Sequence, residues 1–243
     1  MEQPDQPAAE VPAPGTTDTT MRLTPEGPVP GRPASARRAL LGRLALLLGG
    51  GLAAACPARA VPTELFGVSY PATLKVEGRT LQLNGAGVTY RAVAKLYTVG
   101  LYTPDKHVQA DAVIDMARNA PLQLRFVMLQ GMRIDEVGKT ITRGIELNST
   151  REAFFSLIPS IRKMGEQFSH IKRLNTGDVF AIDFVPKRGT VFYVNGQPAG
   201  LPIADAAFFP AVLRVWLGAR PVSQDLKDAL LSYRAPAVLE ALE

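Results

Sequence analysis

Few side chains in this sequence have types and spacings suited to chemistry. With one Cys and two His in 243 residues, the chain excludes a Cys-clustered zinc or iron–sulfur site and a His-rich metal site. It has no Ser/His/Asp or Cys/His set for nucleophilic catalysis and no carboxylate pair of recognisable spacing. Three candidates remain: Arg91 and Tyr97 on one face of a β-rich run, and Arg125 on a neighbouring strand. A guanidinium and a phenol together suit the binding of an anion.

We therefore expect no metal, no cofactor and no catalytic residue, and we take Arg91, Tyr97 and Arg125 as candidate ligand-binding residues. Arg91 and Tyr97 each have a structural interpretation as well. Arg91 is equally typical of an exposed sheet face, and a buried Tyr is often bonded to the backbone. Trp216 belongs to an apolar stripe at helical spacing and is predicted to lie in the core.

Composition excludes several classes of protein. Hydrophobic residues make up 47% and charged residues 20% of the chain, which excludes a wholly disordered or collagen-like protein. The net charge is only +5, and no clustered stripe of Lys and Arg is present. We therefore expect no nucleic-acid partner.

The N-terminal part is typical of a leader followed by an export signal. Residues 1–36 are rich in Pro, Ala, Thr and Gly and are predicted to be a disordered leader. Residues 37–60 combine an Arg pair, a short uncharged apolar stretch and Ala58-Arg59-Ala60, the three parts of a cleavable signal peptide. We expect cleavage near Ala60, by the twin-arginine or the general secretory route, and a periplasmic protein.

Other interpretations of this segment stay open. The apolar stretch is short for a membrane anchor, which needs roughly 20 residues. Cys56 lies in a poor lipoprotein box, so its lipidation is a minor alternative, and translation begins at Met1 or at Met21. Either start leaves residues 61–243 as one exported domain without cysteine, and we expect no membrane-spanning segment after cleavage.

The periodicity of this domain predicts an α+β fold. Strands joined by hairpins precede a pair of helices, more strands and further helices, an order that predicts a large antiparallel sheet with a helical layer on one face. Ser149 and Glu152 form a predicted capping box, and Asn195-Gly196 a type I′ turn. The predicted strands lie at 73–83 (a hairpin with a turn at Gly78), 88–103, 122–128, 179–185 and 190–194. The predicted helices lie at 110–117, 134–147, from Ser149 onward, 209–217 and 225–231.

Several short motifs resemble the chalcone isomerase superfamily, most closely its bacterial exported branch. The resemblance covers residues 65–233 and depends on the order and spacing of the motifs. They are Leu83-Asn84-Gly85-Ala86-Gly87-Val88, Lys95-Leu96-Tyr97, Gly100-Leu101-Tyr102, Trp216-Leu217-Gly218 and Asp225-Leu226-Lys227. It implies an open-faced sheet-and-helix sandwich in which a cleft between the layers holds an elongated or planar apolar ligand.

The resemblance also implies a site. In the plant enzymes, polar residues on a strand and on two helices stabilise the negative charge that develops during chalcone cyclisation. Here Thr89 and Tyr97 stand at the strand positions, while Val137, Gly144 and Val215 stand at the helical ones. A second branch binds fatty acids through an Arg and a Tyr.

We therefore expect a non-catalytic binding protein for a fatty-acid-like or flavonoid-like ligand. In it Arg91 and Tyr97 would hold the polar end of the ligand, and Arg125 would take the place of Arg91 if the strand keeps the pair apart. The alternatives are an intramolecular lyase or isomerase acting on an enone-like substrate, and a factor that binds a protein partner.

Overall fold

A computed structural model of the chain describes residues 62–232. The predicted leader, signal peptide and Cys56 lie outside the described residues. The strands are β1 (Thr63–Leu65), β2 (Val68–Tyr70), β3 (Thr73–Val76), β4 (Arg79–Arg91), β5 (Ala94–Thr103), β6 (Leu122–Met128), β7 (Met132–Arg133), β8 (Arg173–Leu174), β9 (Val179–Val185), β10 (Gly189–Val194) and β11 (Gln197–Pro198). The helices are α1 (Ala110–Met116), α2 (Ile134–Leu147), α3 (Arg151–Phe168), α4 (Phe208–Leu217) and α5 (Gln224–Leu230).

Seven strands form one antiparallel sheet in the order β11-β10-β9-β6-β5-β4-β3. Alternate side chains of each strand point to opposite faces. On the inner face, Leu101, Leu124 and Ile182 are buried against the helices in the main core. The prediction of an α+β fold, with a large antiparallel sheet and helices on one face, is confirmed.

The outer face of the sheet is only partly covered. The β1–β2 hairpin lies against it, and the Tyr70 hydroxyl donates a hydrogen bond of 2.8 Å to Thr98 Oγ1 on β5. Here a smaller apolar cluster forms around Tyr70, Tyr102 and Val185. At the rim, the turn after β3 meets the β9–β10 turn through an ion pair between Glu77 and Arg188, so the sheet curls toward its outer side.

The expectation of one long strand over 88–103 is wrong. The chain reverses at Ala92 and Val93, so that β4 and β5 form a hairpin in which Thr89 pairs with Tyr97. Ala92 takes the left-handed conformation (φ 52°) and Val93 is 95% exposed. The turn contains neither Gly nor Asn, the usual signals of such a conformation. The alternation of residues over 88–103 therefore gives no sign of the turn.

Gly85 and Gly87 seat a helix on the inner face of β4. A Cβ at Gly87 would lie 2.7 Å from Leu226 Cδ1, and one at Gly85 would overlap the carbonyl oxygen of Ala229. The pairing of β4 with β5 also shifts register between Leu83 and Gly85. The bulge therefore lies at Asn84, directly before these glycines, and the glycines allow α5 to approach the sheet closely.

The helix and turn signals are confirmed with one correction. α3 is capped by Thr150, whose Oγ1 accepts a hydrogen bond from Ala153 N, so the cap lies one residue after the predicted Ser149. Asn195 and Gly196 both have positive φ (50° and 78°) and join β10 to the short β11, as the turn signal predicts.

Candidate functional site

A small apolar cavity lies between the inner face of the sheet and the helices, where the resemblance places a ligand cleft. We call it the inner cavity, and its free volume is about 30 Å³. Its walls contain no carboxylate, His, Lys or Arg. They are formed by Tyr97, Phe126, Met128, Met132, Val137, Thr140, Ile141, Leu174, Phe180 and Trp216.

Tyr97 is the main polar group of this cavity. The side chain is 7% exposed, and its hydroxyl accepts a long hydrogen bond of 3.4 Å from Trp216 Nε1. Burial raises the pKa of Tyr97, and nearby Thr89 and Trp216 offset that rise only in part. The phenol therefore stays protonated and neutral at physiological pH, able to donate a hydrogen bond.

Thr89 adds a second polar group beside Tyr97. It faces Tyr97 across the hairpin and lies close enough to affect its pKa. The Thr89 hydroxyl is nevertheless buried without a hydrogen bond of normal geometry to any described residue. A buried hydroxyl in that state is costly, so the surroundings of the Tyr97 hydroxyl include an unsatisfied polar group.

Trp216 combines a structural role with a position at the cavity. It is 3% exposed, and its ring centroid lies 5.0 Å from that of Phe126, which also packs edge-on against Tyr97. The prediction that Trp216 lies in the core is confirmed. Its indole N–H still points to the Tyr97 hydroxyl at the cavity wall.

The structure does not bring Arg91 and Arg125 to Tyr97. Arg91 ends β4, and its side chain is 65% exposed, with Nη2 lying 3.4 Å from Glu136 Oε2 on α2. Arg125 alternates with Leu124 and Phe126 along β6, so it points to the outer face. The three candidate residues therefore occupy three places, and the expectation that Arg91 and Tyr97 share one strand face is wrong.

The resemblance implies polar residues at three helical positions, and in this structure those positions are closely packed and apolar. Val137 lines the inner cavity, and a Cβ at Gly144 would lie only 2.6 Å from Val215 Cγ1 on α4. α2 and α4 touch at this point without room for a longer polar side chain. The groups that would orient a reacting enone are therefore replaced by apolar contacts.

An open groove lies on the other side of α2, between α2 and α3. Its volume is about 930 Å³, and Ile134, Ile161, Met164 and Phe168 form its apolar floor. Because Val137 faces the inner cavity while Gly138 faces this groove, α2 is a wall between the two spaces.

The outer face carries a polar pocket that no sequence motif predicts. This outer pocket has a volume of about 270 Å³. Asp183 is 5% exposed and accepts a hydrogen bond of 2.8 Å from Gln123 Nε2. Burial raises the pKa of Asp183 to about 7, against smaller opposing effects of Gln123 and Arg125. The lining residues are Lys75, Val76, Glu77, Gln123, Arg125, Val179, Ala181, Asp183, Tyr193 and Gly196.

A sequence signal for the outer pocket exists. Asp183 is the single charged residue within an otherwise apolar strand, and Gln123 and Arg125 interrupt another. Charged residues are almost never fully buried unless they have a partner. Among residues 62–232, no group of three or more His, Cys, Asp or Glu is placed to hold a metal ion.

Comparisons with known proteins agree with this architecture. The family model described as chalcone isomerase-like matches residues 62–232. The crystal structure of an Arabidopsis thaliana fatty-acid binding protein, AtFAP1, superimposes with a TM-score of 0.56 at 13% identity, covering 70% of this chain and 96% of that one. At that identity the likeness concerns the fold alone. No curated protein sequence matches the chain, and within residues 62–232 every helix is too short or too polar to cross a bilayer.

Proposed function

The chain belongs to the chalcone isomerase-like family, and from that premise we propose that it is a non-catalytic binding protein for an apolar or amphiphilic ligand. The ligand lies between the sheet and α2, with its polar group at Tyr97. The observation that carries this proposal is the inner cavity: mostly apolar walls that include Tyr97 and Trp216, with the buried Thr89 hydroxyl beside Tyr97. A few polar groups in an apolar cleft are typical of small-molecule sites.

The chemistry of the cluster selects the polar group that it receives. Tyr97 and Trp216 offer neutral O–H and N–H donors, and no cation lines the cavity. A carboxylate buried there without a counter-charge would be strongly disfavoured. The group that binds at Tyr97 is therefore an uncharged carbonyl or hydroxyl, as in a fatty alcohol, an ester or a flavonoid.

A carboxylate suits a different place. Arg91 lies at the surface beside the start of α2 and is already paired with Glu136. A fatty acid that inserts its tail into the inner cavity would leave its head group outside, where Arg91 can exchange Glu136 for the ligand. An exposed pair of this kind contributes little, so this orientation gives the weaker binding.

Ligand entry requires movement of α2. The inner cavity holds about 30 Å³, whereas sites for small organic ligands occupy roughly 300–1,000 Å³. The α2–α3 groove provides open space on the far side of α2, and flexible Met128 and Met132 line the near side. Displacement of α2 into that groove would enlarge the inner cavity without opening the sheet.

The absence of charged groups from the inner cavity favours binding over catalysis. Cyclisation of an enone needs groups that stabilise developing negative charge, and those positions hold Val137, Gly144 and Val215. Tyr97 keeps its proton because burial raises its pKa, so it is a poor base at neutral pH.

A titration followed by Trp fluorescence tests the proposal. Trp216 is the one Trp of the chain and lines the inner cavity, so its emission reports directly on ligand entry. We expect 1-decanol and the flavonoid naringenin to change the emission, with 1-decanol binding at least as tightly as decanoate at neutral pH. Tyr97→Phe should weaken 1-decanol about two- to tenfold, the effect of one hydrogen bond.

Two further variants serve as controls. Arg125→Ala, on the opposite face, should leave all three affinities unchanged, and Arg91→Ala should affect decanoate alone. The proposal fails if none of the three probes changes the Trp216 emission. Equal affinity of Tyr97→Phe and wild type for 1-decanol would exclude Tyr97 as the polar anchor.

The location of the protein is a second part of the proposal. The Arg pair, apolar stretch and Ala58-Arg59-Ala60 support export to the periplasm with cleavage near Ala60. N-terminal sequencing of the mature protein should then begin at or near Val61. An intact N-terminus in the cytosolic fraction would contradict export, and replacing Arg37 and Arg38 by Lys blocks it only if the twin-arginine route is used.

A further inference from the structure

The outer pocket has the features of a second ligand site, on the face of the sheet opposite the inner cavity. We propose that it binds a small zwitterion of the amino-acid class, whose carboxylate contacts Arg125 and whose ammonium contacts Gln123 and Asp183. This inference does not depend on the ligand proposed for the inner cavity.

Arg125 supplies the anion-binding half. It is partly buried at the middle of β6, and the described residues give its guanidinium neither a salt bridge nor a side-chain hydrogen bond. Burial raises the pKa of Tyr70, Tyr102 and Asp183, and the charge of Arg125 offsets part of each rise without pairing with any of them. A guanidinium in such a place binds a carboxylate through two parallel, charge-assisted hydrogen bonds.

Gln123 and Asp183 supply the cation-binding half. Gln123 Nε2 donates to Asp183 Oδ1, which leaves Gln123 Oε1 buried without a donor among the described residues. The Gln123 side chain is 8% exposed and lines the outer pocket. An ammonium has three N–H donors, enough to satisfy Gln123 Oε1 and to reach the Asp183 carboxylate.

The register of the sheet places the two halves next to each other. Gln123 and Arg125 are two residues apart on β6, so their side chains leave the same face. Asp183 pairs with Gln123 across β6 and β9. An amino group and a carboxylate on one small molecule therefore face complementary groups at neighbouring sheet positions.

Size and charge agree with this ligand class. A volume of about 270 Å³ is just below the range of drug-sized sites, so it suits a small molecule. The lining contains two cationic residues, Lys75 and Arg125, and two acidic ones, Glu77 and Asp183. A ligand carrying both charges adds no net charge to this lining of two cations and two acids.

The pH dependence of binding follows from Asp183. The charged or titratable groups that face it are Lys75 and Glu77 from the β3 hairpin, Arg125 from β6 and Tyr193 from β10. Since burial raises the pKa of Asp183 to about 7, its carboxylate form, which attracts an ammonium, becomes the main form above that pH. Affinity should therefore increase as the pH rises through 7.

A matched set of probes tests the proposal on the full chain. L-alanine carries both groups, propionate lacks its amine, and ethylamine lacks its carboxylate. Chemical shifts of the Gln123 side-chain amide and the Asp183 carboxyl carbon follow binding in the millimolar range. We expect L-alanine to bind about tenfold or more tightly than either of the other two.

Variants then locate the binding. Arg125→Met and Gln123→Met should each reduce L-alanine affinity at least about tenfold, while Arg118→Met, in the turn after α1, and Tyr97→Phe leave it unchanged. Asp183→Asn should remove the pH dependence. Thermal melting of every variant shows whether a loss of binding is caused by a loss of folding. Because Arg125 and Gln123 lie at different positions of the sheet, their two variants test the pocket separately.

The proposal is overturned if L-alanine shifts neither reporter, or if propionate binds as tightly as L-alanine. Retention of L-alanine binding by both pocket variants would also overturn it. None of these outcomes depends on the change in Trp216 emission that 1-decanol causes, so the two proposed sites are tested independently.

Discussion

The two faces of the sheet differ in chemistry although the same strands build both. On β6, Leu124 and Phe126 point into the apolar core, while Gln123 and Arg125 point into a polar pocket. The inner cavity is nearly filled and lined without charge; the outer pocket is about 270 Å³ and has four charged residues. A strand that alternates apolar and polar residues can therefore serve two separate sites, provided that both faces are partly covered.

The largest loss of stability is expected from truncating a side chain in the tightly packed inner face. Trp216→Ala should lower the free energy of unfolding by about 3–5 kcal/mol, as large aromatic truncations in cores do. Urea unfolding measures this, with Phe155→Ala as a control because Phe155 is an exposed aromatic on α3. A loss below about 1 kcal/mol for Trp216→Ala would mean that the inner face does not depend on packing.

On the outer face, we expect the free energy of unfolding to depend on pH. Burial raises the pKa of Asp183 from 3.8 to about 7, so the folded chain binds this proton more tightly than the unfolded chain. The stability that the proton contributes is full below the unfolded pKa and is lost as the pH rises through about 7.

Above that pH, Asp183→Asn should therefore raise the free energy of unfolding by roughly 2–4 kcal/mol, and the gain should shrink as the pH falls toward 4. Urea unfolding near pH 5 and near pH 8 measures the difference. Asp115→Asn on α1, which is exposed, is the control without such a change. An equal gain in the free energy of unfolding at both pH values would contradict a raised pKa of the buried Asp183 carboxyl.

Two glycines allow the rigidity of the faces to be compared. Gly85→Ala places a Cβ against the backbone carbonyls of α5, and Gly100→Ala places one 2.6 Å from the Tyr70 ring. We expect about 1–3 kcal/mol of destabilisation for Gly85→Ala and less for Gly100→Ala, since the Tyr70 side chain on the small β1–β2 hairpin shifts more easily than the backbone of a docked helix. Thermal unfolding ranks them, and the reverse order would show that the outer face is the more rigid one.

The smallest expected effect is on catalysis. With Val137, Gly144 and Val215 at the helical positions, we expect no measurable acceleration of chalcone cyclisation, because one missing oxyanion donor already costs about 10²–10³ in rate. An absorbance assay with a chalcone measures this against the uncatalysed reaction. Turnover well above that rate, abolished by Arg91→Ala, would restore the lyase alternative.

The sequence predicts the fold better than the site because the two depend on different signals. Apolar periodicity over 122–128, 134–147 and 209–217 reflects burial of whole faces, which sets the element types and the α+β class. The site depends on single residues. Ala92 reverses the chain without a Gly or Asn, and that one turn moves Arg91 from the predicted strand face of Tyr97 to the start of α2.

The same limitation applies to Arg125 and Asp183. Alternation on β6 separates Arg125 from the core residues, but no local pattern tells that β9 is its neighbour in the sheet. The pairing of β6 with β9 crosses two long helices, so the meeting of Gln123 and Asp183 becomes visible only in three dimensions.

The attachment of α5 to β4 has a consequence for the order of folding. Asn84 Nδ2 donates hydrogen bonds to Leu230 O and to His107 O, and Gly85 lies directly beneath the helix. A contact between positions 84 and 230 closes a loop of most of the domain, and contacts so distant in sequence form late and slow folding. Until α5 docks, the inner face of β4 stays uncovered and the Asn84 amide lacks its partner on Leu230. A chain ending before Gln224 should thus collapse without this final contact, leaving the core beneath α5 exposed and the chain prone to self-association.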